Sequence, residues 1–62
     1  MMNGKKIVKI LESHGWSVVR VKGSHHIMRK DNINVSVPVH GSSDIAVGTL
    51  ANIAKLTGVT LK

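Results

Sequence analysis

Two short breaks, Gly23-Ser24 and Asp31-Asn32, constrain this chain more than anything else in it. They divide its middle into three runs rich in β-branched residues, 17–22, 25–30 and 33–39. Runs of this length read as strands, and pairs of turn-forming residues join neighbouring strands as hairpins. Hairpins make the sheet antiparallel. In the first run, alternation puts Val19 and Val21 on one face and Val18, Arg20 and Lys22 on the other. In the third, Ile33, Val35, Val37 and Val39 share a side opposite Asn34, Ser36 and Pro38. Pro38 donates no backbone hydrogen bond, so its strand ends there or lies at an edge.

Helical patterns flank the strands. Over residues 3–14, Ile7, Val8, Ile10, Leu11 and His14 form a stripe at helical spacing, with Asn3 as N-cap and Gly15 as a left-handed C-cap. After a polar loop at 40–44, a closing helix runs from Gly48 or Thr49 to Thr57. Leu50, Ile53, Ala54 and Leu56 form its apolar side, and Gly58 is its stop. The predicted class is α+β in the order α-β-β-β-α. Both helices cover one face of a three-stranded antiparallel sheet and leave the other open.

A chain of 62 residues reads as a single domain over 1–62. A domain of this size buries only about 60% of its unfolded surface, so its core is thin and any site shallow. Nine Lys and Arg against three Asp and Glu give a net charge of +6, which points to an anionic partner. The plain alternative is a basic domain with no polyanion partner. The chain has no cysteine, which excludes disulfides and thiolate metal sites. No apolar run reaches membrane-spanning length and no signal-peptide segment is evident, so the expected compartment is the cytoplasm. Trp16 is the only aromatic side chain. Without a stacking platform, contact with RNA must rest on phosphate charge, the 2′-hydroxyl and shape.

The candidate chemistry centres on Gly23-Ser24-His25-His26, which lies in a stretch from Ser13 to Lys30 free of acidic residues. Histidine both takes and gives a proton near neutrality. Placed in a field of positive charge, it suits a polyanion that needs proton transfer, and RNA is such a polyanion.

Four stretches resemble the HicA toxins, the small ribonuclease partners of HicA–HicB toxin–antitoxin pairs. They are Leu11-Glu12-Ser13-His14-Gly15-Trp16, Val21-Lys22-Gly23-Ser24-His25-His26-Ile27, Val37-Pro38-Val39-His40, and Val47-Gly48-Thr49-Leu50 with Ile53 and Gly58. The resemblance implies a fold like a double-stranded-RNA-binding domain and metal-free cleavage of mRNA by a histidine. It also implies inhibition by a HicB-like antitoxin and higher-order toxin–antitoxin complexes. One departure stands out. The loop before the last helix and that helix are usually basic in the family. Here they carry Ser43, Asp44, Ala46 and Ala51, with only Lys55 and Lys62 left. The expected phosphate contacts therefore move to Lys5, Lys6, Arg20, Lys22, Arg29 and Lys30, beside Gly23 and Ser24 of the turn.

By resemblance the catalytic role falls on His25, with His26 as second choice. The two point to opposite sides of a strand. If Ile27 faces the helices, His25 lies at the sheet's rim; if Met28 does, His26 is on the covered side. Parity leaves both open. Ser24 is a turn residue bonded to its own backbone or a hydroxyl at the scissile phosphate. Gly23 serves the turn and lets phosphate approach. His40 is a second proton carrier, an antitoxin contact or a solvated strand-end residue. His14 is expected to be structural. Adjacent strand histidines cannot chelate one ion, and no acidic side chain sits beside them, so no metal and no cofactor is expected. The alternative function is a non-catalytic RNA-binding module, which has no need of the turn histidine. An adaptor for an acidic protein would explain the charge but not the turn.

Overall fold

The computed structural model describes residues 2–61; Met1 and Lys62 lie outside the described residues. The chain runs α1 (Gly4–Ser13), β1 (Ser17–Lys22), β2 (His25–Lys30), β3 (Ile33–Pro38) and α2 (Val47–Thr57). This is the α+β layout of a double-stranded-RNA-binding domain. The Asn3 side chain caps α1 by accepting a hydrogen bond from the Lys6 N–H at 2.9 Å. At the other end, the N–H of Trp16 donates to the Leu11 carbonyl and that of Gly15 to Glu12, the paired bonds of a Schellman motif. Gly58, in the left-handed region, closes α2.

The strands pair antiparallel in the order β1-β2-β3, so β2 is central and Pro38 ends an edge strand. Paired residues share a face. Met28 pairs with Val18 and Val35, and His26 with Val21 and Val37. Met28, Val35 and Val37 are buried with Ile7 and Leu11 of α1 and Ile53 of α2, which marks this as the face the helices cover. The opposite face carries Arg20, Ile27 and Ser36, then Lys22, His25 and Pro38, then Arg29 and Asn34.

Four sequence expectations change. A β-bulge between Val18 and Arg20 inserts one residue into β1. Val18 therefore packs against the core while Arg20 and Lys22 go to the open face. Val19, the extra residue, is 56% exposed, and Val21, though paired with His26 on the covered face, is 57% exposed. His14 leaves the apolar stripe: it is exposed at the C-cap of α1, its Nδ1 2.9 Å from the Ile10 carbonyl. Leu56 leaves the apolar side of α2 at 48% exposure, while Ile53 is buried and Leu50 and Ala54 pack against the core. Helix α2 also starts at Val47, without a side-chain cap.

The core draws on residues outside the regular elements. Met2, Trp16, Val59 and Leu61 are all buried. The amino-terminal segment is tied to the loop before α2 by a bridge between Asn3 and Asp44 and by the bond from the Ile45 N–H to the Met2 carbonyl. Gly4 lies against the end of β3, where a Cβ would overlap the Pro38 carbonyl oxygen. This close approach needs glycine, and it brings the start of α1 beside the chain that leads to His40.

Candidate functional site

The site is built where the β1–β2 turn meets the end of β3. Gly23 has φ 59°, a left-handed value that glycine adopts without strain. No atom lies within 4 Å of where its Cβ would be, so the turn is open to an approaching ligand. The Val39 N–H donates to the Ser24 carbonyl at 2.6 Å, which extends the ladder past Pro38 and fixes the turn against the segment carrying His40.

Two histidines and two serines meet there. The rings of His25 and His40 stand edge to face, their centroids 6.4 Å apart and their planes at 81°. His25 Nδ1 lies 3.4 Å from Ser36 Oγ, and His40 Nε2 lies 3.3 Å from Ser24 Oγ. Both contacts are at the long end of hydrogen bonding, and each engages one ring nitrogen while leaving the other free. Both histidines are exposed. Lys22 is His25's cross-strand partner, and the next pair along the face is Arg20 with Ile27. A phosphate on this surface would meet cationic side chains and two imidazoles together.

His26 has the opposite environment. It lies on the covered face and borders a groove of about 330 Å³ with Lys5, Val8, Lys9 and Val39. Its Nδ1 is shut off from solvent and has no hydrogen-bond partner.

The sequence-derived basic residues do not converge on one spot. Arg20, Lys22 and Arg29 share the open face with His25. Arg29 sits toward the far end, its Nε donating to the Asp31 carbonyl and its Nη2 to Asn32 Oδ1. Lys30 is not part of that face. Its Nζ donates to the His14 carbonyl at 2.9 Å and its stem lies beside Gly15, so it caps the C-terminal end of α1. Lys5 borders the His26 groove, and Lys6 is exposed on α1. Sequence reasoning passed over Lys9, although its position four residues after Lys5 already put both on one helix face. It also passed over Ser36, whose link to His25 depends on strand register. Among the described residues no group of three His, Cys, Asp or Glu is placed to hold a metal ion. No helix there is long and apolar enough to cross a membrane.

Fold and face together define a small basic α+β domain with a histidine-bearing open sheet. The family model for the HicA toxin of bacterial toxin–antitoxin systems matches residues 4–59, and the chain belongs to that family. Comparisons with curated proteins and with solved structures gave no match.

Proposed function

We propose that this HicA-family toxin is an endoribonuclease that cuts mRNA in the cytoplasm, with His25 as its general acid or base, and that a HicB-like antitoxin restrains it. The observation that carries this reading is the position of His25: exposed on the open face, beside Lys22 and His40, with no place in the core. RNA brings its own nucleophile. Removal of the 2′-hydroxyl proton lets that oxygen attack the adjacent phosphorus. The P–O5′ bond breaks and the departing oxygen takes a proton, leaving a 2′,3′-cyclic phosphate and a 5′-hydroxyl. A positioned imidazole contributes about 10²–10⁴-fold to such a transfer, and neighbouring cations steady the charge on phosphorus. None of these steps calls for a metal.

Arg20, Lys22 and Arg29 are the proposed phosphate contacts on the open face, with Gly23 and Ser24 at the turn; Lys5 and Lys6, on α1 away from that face, are at most outlying contacts. Lys30 is left out because it lies off that face, with its Nζ bonded at the end of α1. The antitoxin is proposed to cover His25 and the same basic face. Its association would be fast at low salt and slower at high salt, and it would exclude RNA.

The test is incubation of purified protein with a defined mRNA, with and without chelator, beside the His25→Ala variant. The expected result is chelator-resistant cleavage that the variant lacks while keeping wild-type circular dichroism. Undiminished cleavage by the folded variant would remove His25 from the role. RNA binding without cleavage by the wild type would favour the non-catalytic binding module.

A further inference from the structure

We infer that His40 is the second proton carrier of this site, completing an acid–base pair with His25; the inference rests on the ribonuclease reading above. In an in-line displacement the attacking 2′ oxygen and the departing 5′ oxygen lie on opposite sides of phosphorus. One imidazole fixed on a strand cannot serve both positions in a single step. At near-attack geometry the two oxygens are roughly 5 Å apart, from a 3–3.5 Å approach plus one P–O bond. Two rings with centroids 6.4 Å apart can straddle that span.

The rings are also held in a manner that suits the task. Ser36 engages Nδ1 of His25 and Ser24 engages Nε2 of His40, so each ring keeps one free nitrogen for the substrate. The bond from the Val39 N–H to the Ser24 carbonyl couples the two backbones that carry the pair. Lys22, cross-strand from His25, supplies positive charge beside them. A histidine that is merely solvated at a strand end has no reason to sit edge to face with the proposed catalyst while bonded to the turn serine.

In the step itself one histidine takes the 2′-hydroxyl proton as the O2′–P bond forms. The other gives a proton to O5′ as the P–O5′ bond breaks. The pair ends with its protonation exchanged and is restored by water, and no oxidant or reductant is involved.

The test compares wild type, His25→Ala and His40→Ala on two RNA substrates. One has ordinary linkages. The other has sulfur in place of the scissile 5′ oxygen, a leaving group that departs without a proton. On ordinary RNA, His40→Ala is expected to lower kcat by about 10²–10⁴-fold. Its affinity for RNA blocked by a 2′-deoxy at the cut site should stay within about twofold of wild type, and one limb of the pH–rate profile should vanish. On the sulfur substrate one variant, and not the other, should recover, which identifies the acid. Cleavage of ordinary RNA by His40→Ala at the wild-type rate, with His25→Ala inactive, would overturn the pair and leave the ribonuclease reading standing. So would recovery of both variants, or of neither, on the sulfur substrate. A wild type that cuts neither substrate would overturn both readings.

Discussion

His25 and His26 are neighbours in sequence and opposites in environment. His25 stands on the uncovered face with Lys22, Ser36 and His40 around it. His26, one residue on, turns under α1 toward Lys5, Val8 and Lys9, with a ring nitrogen hidden from water and unpaired. The period of two along a strand accounts for the whole difference. Because Met28 is in the core, the alternate residue His26 is on the covered side and His25 is not. In a domain this thin, one strand serves packing through one set of side chains and presents His25 to solvent through the other.

That division breaks or sharpens under paired substitutions. The largest stability effect is expected at Met28, fully buried on the covered face. Met28→Ala should cost about 2–5 kcal/mol in chemical denaturation, while Ile27→Ala on the open face should cost far less. Equal losses would mean that both faces are packed. The next contrast is between lysines. Lys22→Met should weaken RNA binding and reduce the salt slope of log affinity by about 0.7 for a single strand, leaving stability unchanged. Lys30→Met should do the reverse, losing at most about 1 kcal/mol of stability through its bond to the His14 carbonyl while RNA binding is unaltered. If both lysines moved the salt slope alike, RNA would reach around the edge of the sheet. The smallest effect is expected for His26→Leu. It removes a hidden nitrogen without a partner and keeps apolar bulk, so stability should change by less than about 1 kcal/mol.

Much of the fold was legible because its signals are local. The breaks at Gly23-Ser24 and Asp31-Asn32, the Asn3 cap and the Gly15 and Gly58 stops each act within a few residues, and each lies at the end of an element. The bulge at Val19 was not legible. Nothing in an unbroken β-branched run marks the residue that will be skipped, and the skip reversed the faces expected for Val18 relative to Arg20 and Lys22. Met2, Val59 and Leu61 escaped for a different reason. They enter the core from segments without helical or strand period, where periodicity carries no signal. At the candidate site, the family resemblance pointed to His25, and parity left two histidines open until the burial of Met28 assigned each to its face. The meeting of His25 with His40 depends on the tie between Val39 and Ser24, a tertiary contact that spacing along the chain does not encode.

The most direct measurement is single-turnover cleavage of one defined mRNA, in chelator, by wild type, His25→Ala and His26→Leu, each checked for folding by circular dichroism. The open-face account predicts 2′,3′-cyclic phosphate ends from wild type and from His26→Leu at comparable rates. It predicts a loss of about 10²-fold or more from His25→Ala. Full activity in folded His25→Ala with loss in His26→Leu would contradict it, and would move the chemistry to the groove under α1.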